Sequence, residues 1–365
     1  MKRMILVLVT LLVVSSLVFA AGGSQSGSGS GSAKPKIALL MRNMDEQFVK
    51  DYADNVRKMS NEKNVDLNIQ DARNDSQTQL TQLQTLLNQG YRFFVIVVTV
   101  PDLSEQMTQM IKQYDGVAAF SNTPPTTAAL RVGKKFYYAS SPEFIGGRYQ
   151  GGLIADYFDK YPDKAPGKVL NMILICGQMG HPAMVFREQG LDAELKARGY
   201  TVNKVVRDTA MWTPDMAQEK MSVWINSHRG RFNVVAAQND GMALGAVEAL
   251  IQNGMTKSDA SDGTILTVPV YGIDATQAAI NSMKENKLMA TVLQDSIGQS
   301  AAAFDVVYQH ATGTFKVGNP AGGTPVATAT IDEEPANDRS IIDQCYLVPF
   351  APVDKASSYY KEHSR

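Results

Sequence analysis

Short apolar runs alternate with amphipathic stretches along most of this chain, and that alternation restricts the possible fold more than any other feature. Residues 36–41 form an apolar run typical of a buried strand. The apolar residues that follow recur at helical spacing: Phe48, Val49, Tyr52, Val56 and Met59. Further strand-like runs lie at 65–70, 92–98, 116–120, 168–175, 201–206, 232–237, 268–273 and 289–293. Because crossover helices cover the faces of parallel sheets, this pattern predicts an α/β fold.

The length of 365 residues favours two domains, at roughly 100 to 200 residues per domain. About nine strand-helix units divided between two domains predict two doubly wound parallel-sheet lobes. A change of composition from Tyr138 to Pro142 marks a crossing between the lobes.

The first residues read as an export signal. Lys2 and Arg3 precede an apolar run, and Ala20 is a small residue suited to cleavage. We predict a signal peptide over residues 1–21 and a periplasmic location, and the alternative is an uncleaved membrane anchor. The apolar run is followed by no cysteine that could accept a lipid. Residues 22–33 are almost wholly Gly and Ser, which predicts a flexible linker.

Charge and cysteine content argue against several classes of protein. The chain has 35 Lys and Arg against 36 Asp and Glu, and no basic tail, which argues against a nucleic-acid partner held by phosphate contacts. Cys176 and Cys345 are too few for a disulfide framework. They are expected to be buried thiols, and a single long-range bridge between them stays open.

Polar and aromatic residues follow the predicted strands, where open parallel sheets bind ligands. They occupy residues 43–48, 178–187, 208–212, 238–240, 272–274 and 294–295. Taken singly, Asn239, Asp240 and Asp274 could be helix caps, and His181 before Pro182 could begin a helix. Taken together, carboxylates, amides, Arg, His and aromatic rings suit a sugar, whose hydroxyls donate and accept and whose C–H faces pack on rings. Amino acids and nucleosides could use similar groups.

At this point the chain resembles the bacterial periplasmic galactose/glucose-binding proteins. The motifs are Gly180-His181-Pro182, Asp208-Thr209-Ala210-Met211-Trp212, Asn239-Asp240-Gly241-Met242-Ala243, Tyr271-Gly272-Ile273-Asp274-Ala275 and Ala290-Thr291-Val292-Leu293-Gln294-Asp295. The resemblance implies a type I periplasmic binding protein whose lobes, joined by a three-strand hinge, close over one sugar. It also implies delivery to the membrane permease of an ABC importer, and a chemoreceptor as a further partner. The implied lobes are 34–139 with 294–346, and 140–293 with 347–365.

Carried over by position, the resemblance implies eight ligand-binding residues: Glu46, Phe48, His181, Arg187, Trp212, Asn239, Asp274 and Gln294. Phe48 and Trp212 would sandwich the sugar ring. The chain departs from the family at Glu46, which replaces Asp, and at Gln294, which replaces Asn. Ala183 replaces an Asp of the family, and Val97 replaces an Asn. Thr99 could partly substitute for that Asn. The sugar is therefore expected to be hexose-like, with its identity left open.

The calcium loop of the resembled family is also altered. Its equivalent, residues 161–169, offers one carboxylate, and Asn233 stands where the family has a distant Glu. One carboxylate is too few for calcium. We therefore expect no metal, and the sequence calls for no cofactor.

Two other classes compete with a binding protein. A secreted glycosidase would need two carboxylates flanking one bond, and Glu46 and Asp274 could form such a pair. A sugar-responsive transcription regulator would need an N-terminal helix-turn-helix, where this chain has its leader and linker. The motifs favour a binding protein that is not an enzyme.

Overall fold

In the computed structural model, which describes residues 34–318, 324–325 and 342–365, strands and helices alternate along the chain. The strands are β1 Lys36–Met41, β2 Asp66–Asp71, β3 Phe93–Ile96, β4 Val117–Ser121, β5 Phe136–Ser140, β6 Val169–Cys176, β7 Thr201–Thr209, β8 Val234–Ala237, β9 Val270–Tyr271, β10 Thr291–Leu293, β11 Thr324–Pro325, β12 Cys345–Leu347 and β13 Ala351–Val353. The helices are α1 Gln47–Glu62, α2 Ser76–Asn88, α3 Leu103–Gln113, α4 Thr127–Arg131, α5 Glu143–Lys160, α6 Pro182–Ala197, α7 Pro214–His228, α8 Asp240–Gln252, α9 Gln277–Lys284, α10 Ser296–Thr312 and α11 Ser358–His363.

The predicted signal peptide and linker lie outside the described residues. Within those residues, none of the helices combines the length and apolar character needed to cross a bilayer. The two cysteines are both buried thiols, as the sequence led us to expect, and no disulfide joins them.

Two parallel sheets form the cores of two lobes, which confirms the predicted α/β fold. The first sheet has the order β11-β12-β5-β4-β3-β1-β2, parallel except at β11. The second has the order β7-β6-β8-β9 and is parallel throughout. Two single parallel bridges, Tyr271 to Ala290 and Asp274 to Leu293, join the β10 segment to the β9 edge of the second sheet. Strand β13 pairs antiparallel with β10.

The sequence analysis missed β5. Residues 138–142 were read as a change of composition, whereas residues 136–140 form a fully buried strand between β4 and β12. Tyr137 belongs to the apolar cluster on one face of the sheet and Tyr138 to the cluster on the other. A run of aromatic residues with hydroxyl groups looks amphipathic in sequence, although here both faces are covered.

The chain passes between the two sheets at three places. These are residues 141–142, which join β5 to α5, residues 294–295, which join β10 to α10, and residues 348–350, which join β12 to β13. The lobe boundaries implied by the resemblance fall close to these passages, and they stay a prediction.

Helices α5 and α6 approach each other closely because glycines face each other at their contact. A Cβ atom on Gly147 would lie 2.0 Å from the carbonyl oxygen of Arg187. One on Gly190 would lie 2.0 Å from the carbonyl oxygen of Phe144. Only glycine fits at such distances. The contact brings the start of α5 against the middle of α6, which positions part of the site described below.

The loop equivalent to the family's calcium loop is held together by side chains. Asn233 accepts from the Asn171 backbone N–H at 2.8 Å and donates to the carbonyl oxygens of Lys164 and Val169 at 3.0 and 3.2 Å. Lys164 in turn pairs with buried Asp262 at 2.6 Å. The described residues contain no cluster of three His, Cys, Asp or Glu side chains that could hold a metal ion.

Asp262 gives a test of this packing. It accepts from Tyr157 at 3.0 Å and from both Lys164 and Lys257. Burial alone would raise the pKa of Asp262, but the two lysines hold it well below its usual range. The resulting stability is present above the unfolded pKa of about 3.9 and is lost as the pH falls through the folded value.

We therefore expect Asp262→Asn to lower the free energy of unfolding by roughly 1 to 3 kcal/mol at pH 7. The difference in the free energy of unfolding between wild type and the variant should become smaller below about pH 4. Urea unfolding at several pH values measures both. The matched control is Asp259→Asn, an exposed carboxylate nearby that, among the described residues, accepts hydrogen bonds only from Ser261, and it should change stability much less than Asp262→Asn does. A pH-independent difference would contradict this account.

Candidate functional site

One cavity between the lobes gathers all eight residues that the resemblance implied. We call it the cleft cavity, and its lining is Arg42, Glu46, Phe48, Asn122, His181, Ala183, Arg187, Trp212, Asn239, Asp274 and Gln294. It leaves only about 20 Å³ for the centre of a water molecule. That space suits about one water, so the side chains are in near contact and a larger ligand requires the lobes to part.

The lining residues come together because they follow the carboxyl ends of strands. Glu46 and Phe48 follow β1, and Asn122 follows β4, all in the first lobe. Trp212 follows β7 and Asn239 follows β8 in the second lobe. Parallel strands place such turns along one edge of each sheet, and the two edges face each other here.

Arg187 is the most heavily bonded side chain in the cavity. Its Nε donates to Glu143 at 2.6 Å, its Nη2 to the Gln294 side chain at 2.8 Å, and its Nη1 to the Gln238 carbonyl oxygen. Gln294 donates to the second oxygen of Glu143 at 3.0 Å, which closes a ring of three side chains. Burial alone would lower the pKa of Arg187, but the charges of Glu143 and Asp274 raise it overall. Arg187 is therefore a fixed cation.

His181 is the N-cap of α6, and it also crosses the cleft. Its Nδ1 accepts from the Ala183 backbone N–H at 3.2 Å, which leaves the proton of a neutral ring on Nε2. That nitrogen lies 3.3 Å from Thr123 Oγ1 in the first lobe. Burial, with the charges of Arg42 and Arg187, holds the pKa of His181 well below its usual range. His181 is therefore a neutral hydrogen-bond donor, so both the cap and the site interpretations apply to it.

Trp212 sits in a strained turn. Met211 and Trp212 have φ values of 53° and 68°, in the left-handed region. Asn239 caps α8 through its Oδ1 and donates from Nδ2 to the Trp212 carbonyl oxygen at 3.0 Å, which holds this turn. The indole Nε1 is buried and has no hydrogen-bond partner. Strain and an unpaired donor in one buried residue are typical of a binding site.

Asp274 is the least compensated charge of the cavity. It is buried, and its nearest cation is Arg187 Nη1 at 3.9 Å. Burial raises the pKa of Asp274 well above its usual range; Arg187 opposes the rise, and the nearby carboxylates of Asp240, Glu46 and Glu143 add to it. A ligand with hydroxyl groups would supply the hydrogen bonds that the protein does not.

The helix-cap interpretation fails for Asp240 and Asp274. Thr276 is the N-cap of α9, and Asn239 that of α8. Asp240 instead accepts from the backbone N–H and hydroxyl of Thr276 at 2.8 and 3.2 Å and from Thr291 Oγ1 at 2.6 Å. These bonds fix the loop that presents Asp274, whose φ is 129°.

Two lining residues were missed by the sequence analysis. Arg42 pairs with Glu46 at 2.8 and 2.9 Å, and its buried Nε has no hydrogen-bond partner. Asn122 also has a buried oxygen, Oδ1, without a partner. Arg42 could have been found, since it follows β1 directly and stands four residues before Glu46. Asn122 carries no such signal.

The suggested replacement of the family's Asn by Thr99 is wrong. Thr99 does not line the cleft cavity, because its hydroxyl pairs with Ser76 at 2.8 Å and its backbone N–H donates to Gln79 at 3.0 Å. Val97 is buried, and its carbonyl oxygen accepts from Gln79 at 2.9 Å. The side chain of Ala183, in contrast, does line the cavity.

Comparison with known proteins identifies the family. The model of the periplasmic binding protein domain matches residues 37–314, which is most of the chain. The chain belongs to the periplasmic binding protein family. Its relatives and its fold are those of type I sugar-binding periplasmic proteins of ABC importers. Proteins of this family bind substrates for transporters and are not enzymes, and Glu46, with its charge engaged by Arg42, gives no support to the glycosidase alternative.

Several members of the periplasmic binding protein family are similar along most of their length. A D-galactose/methyl-galactoside binding periplasmic protein of Haemophilus influenzae is 28% identical over 294 residues, which cover 80% of this chain and 85% of the relative. A ribose import binding protein of Escherichia coli is 27% identical over 289 residues, covering 78% and 88%.

Solved structures share the fold of this periplasmic binding protein. An ABC transporter solute binding protein of Bacillus halodurans, with bound myo-inositol, has a TM-score of 0.70 and 23% identity, covering 92% of this chain and 99% of that one. One of Actinobacillus succinogenes, with bound D-allose, has a TM-score of 0.72 and 20% identity, covering 90% and 100%.

The uncompensated charge of Asp274 leads to a prediction about stability. Because the folded-state pKa is raised, ionisation costs the ligand-free protein stability as the pH rises above the unfolded pKa of about 3.9. We expect Asp274→Asn to raise the melting temperature of the ligand-free protein, by more at pH 7 than at pH 4. The same variant should bind ligand roughly ten- to a hundred-fold more weakly, since a charged hydrogen-bond acceptor is lost.

Thermal melts at both pH values and calorimetry measure these two effects. Asn tolerates positive φ better than most residues, so the backbone is little disturbed. If the variant were less stable and bound as tightly as wild type, Asp274 would be a structural residue only.

Proposed function

We propose that this protein binds one neutral monosaccharide, a hexose similar to galactose or glucose, in the cleft cavity. Glu46, Phe48, His181, Arg187, Trp212, Asn239, Asp274 and Gln294 form its binding residues, with Arg42 and Asn122 added. The signal peptide would deliver the protein to the periplasm. The loaded protein would dock on the permease of an ABC importer, with a chemoreceptor as a second partner.

The observation that carries this proposal is a set of unpaired, buried polar atoms on residues that line one narrow cavity. Arg42 Nε and Trp212 Nε1 are donors without partners, and Asn122 Oδ1 is an acceptor without one. Asp274 adds a carboxylate whose nearest cation is 3.9 Å away. Buried polar atoms are nearly always paired, so this set calls for a small ligand with several donors and acceptors. A sugar carries both on every hydroxyl group.

The lobes must move for such a ligand to enter. The water-sized space in the cavity is about 20 Å³, which is far too small for a sugar ring. His181 and Thr123 also join the two lobes across the cleft. We infer that the structure lies near the closed end of a hinge motion and that opening separates this pair.

The known ligands of the relatives support a polyol without fixing which one. The names of relatives include a galactoside-binding, a xylitol-binding and a ribose import binding protein. Structural neighbours hold myo-inositol and D-allose. Glu46, Gln294 and Ala183 depart from the galactose/glucose pattern, so the preferred sugar can differ from both.

A thermal-shift screen over pentoses, hexoses, inositols, disaccharides and amino acids tests the proposal. A ligand that binds only the folded state raises the melting temperature by an amount that grows with the logarithm of its concentration above Kd. We expect monosaccharides or inositols to produce the largest shift, and Asp274→Asn to abolish most of it at equal concentration. If amino acids alone stabilised the protein, the sugar assignment would be wrong.

Ala183 generates a sharper test of specificity. It lies one helical turn before Arg187 and lines the cavity, where the resembled family has an Asp near the anomeric hydroxyl. We expect Ala183→Asp to tighten the binding of free hexose by roughly ten- to a hundred-fold, because a charge-assisted hydrogen bond is added. Methyl glycosides should gain less, since they lack that hydroxyl proton.

Calorimetry on the wild-type protein and on Ala183→Asp, with glucose, galactose and their methyl glycosides, measures the ratio of the affinity for free sugar to the affinity for methyl glycoside. The matched control is Ala210→Asp, a buried alanine outside the cavity lining, which should lower stability without changing the ratio. An unchanged ratio in Ala183→Asp would mean that this side of the cavity does not face the anomeric carbon.

A further inference from the structure

Arg187 contacts residues from each of the three segments that pass between the lobes. Glu143 follows the first passage directly, and Gln294 lies in the second. Phe350 lies at the end of the third, with its ring 5.9 Å from the guanidinium carbon. We call Arg187, Glu143 and Gln294 the hinge triad.

The hinge triad is closed on itself and shielded from water. Three hydrogen bonds of 2.6, 2.8 and 3.0 Å join its members in a ring. Each side chain is at most 3% exposed. Charged hydrogen bonds in such surroundings are stronger than at the surface, and removing one partner leaves the other charge uncompensated.

Glu143 differs from its two partners in one respect that matters. Arg187 and Gln294 line the cleft cavity, whereas Glu143 does not. Its position is set by the glycine contact between α5 and α6, which brings the first residue of α5 beneath the guanidinium. Glu143 is therefore not a lining residue, and it acts on the cavity through the neighbours that it holds, Arg187 and Gln294 among them.

A second layer of bonds joins the same passages on the side of the first lobe. Gln299, in α10, donates to Ser141 Oγ at 2.7 Å. The backbone N–H of Val348 donates to the Ser140 carbonyl oxygen at 2.7 Å. The hinge triad joins the passages on the side of the second lobe, so the passages are bonded to one another at both ends.

We propose that Glu143 is a positioning residue that defines the hinge: it ties the three passages together through Arg187 and Gln294 and so sets how far the cleft closes. This inference rests on the proposed function for its effect on affinity. Its effect on lobe separation is independent of which ligand binds. Loss of Glu143 should let the lobes sample wider separations and should misplace Arg187 relative to Asp274.

The test measures lobe separation and affinity in the full mature chain. Spin labels on cysteines introduced at exposed Thr85 in α2 and Val223 in α7 report the distance between the lobes. The native cysteines are fully buried and should escape labelling. We expect Glu143→Gln to broaden the ligand-free distance distribution and shift it to longer distances. Its Kd for D-galactose, or for the best sugar of the screen, should rise roughly tenfold.

A rescue variant separates the triad from a general loss of stability. In Glu143→Gln with Gln294→Glu, the carboxylate moves to the other side of Arg187 and the same three hydrogen bonds can form. We expect the double variant to recover the wild-type distance distribution. The matched control, Asp262→Asn, breaks a buried ion pair remote from the hinge and should lower stability with the distribution unchanged.

Each outcome either supports or overturns the proposed role of Glu143 at the hinge. A wild-type distribution in Glu143→Gln, or a double variant no closer to wild type than the single one, would overturn the inference. If Glu143→Gln did not fold, Gln294→Leu, which leaves the Arg187 to Glu143 ion pair intact, should show the same broadening, and a wild-type distribution there would also overturn it. If the variants behaved as expected but no sugar bound the wild-type protein, the proposed function would fail and the hinge assignment would stand.

Discussion

The close contact between α5 and α6 is the constraint on which the cleft depends. Glycines at this contact let the two helix backbones approach within a distance that any Cβ atom would prevent. That approach places the Glu143 carboxylate against the Arg187 guanidinium at 2.6 Å, away from solvent. The ion pair then organises Gln294 and the carbonyl of Gln238 around it. Substituting a side chain at Gly147 or Gly190 would therefore disturb the cavity without touching it.

The electrostatics of the cleft suit a neutral ligand. The ionisable groups in and beside the cavity include two guanidinium groups, of Arg42 and Arg187, and four carboxyl groups, of half-buried Glu46 and of buried Glu143, Asp240 and Asp274. A sugar acid would add a further negative charge to this excess and would be disfavoured. Hydroxyl groups relieve the excess instead, because each can donate to a carboxylate oxygen. Under the proposed function, the stability lost through ionisation of Asp274 is thus exchanged for ligand affinity.

Much of the fold was predictable because it depends on periodicity, which is local in sequence. Eight of the nine strand-like runs end within two residues of an observed strand end, and α6 begins at Pro182 as expected. Strand β5 was missed because its tyrosines become buried only when helices pack on both faces of the sheet. The local sequence does not show that packing. Asn239 both caps α8 and supports the turn at Trp212. No sequence pattern distinguishes the second role from the first. Glu143 was invisible as a site residue, because its role arises from the packing of α5 on α6, which pairs it with a residue 44 positions away.

Backbone conformation also limits how the specificity of this cleft can change during evolution. Met211, Trp212, Asp274 and Ala275 all have positive φ values, which few side chains tolerate. Most substitutions in those two loops would carry a cost in folding before any gain in recognition appeared. Glu46 and Ala183 stand at the starts of helices with ordinary backbone geometry, where side chains can be exchanged freely. Lineages of this cleft that acquire new sugars should therefore differ first at the helix starts, while the strained loops persist.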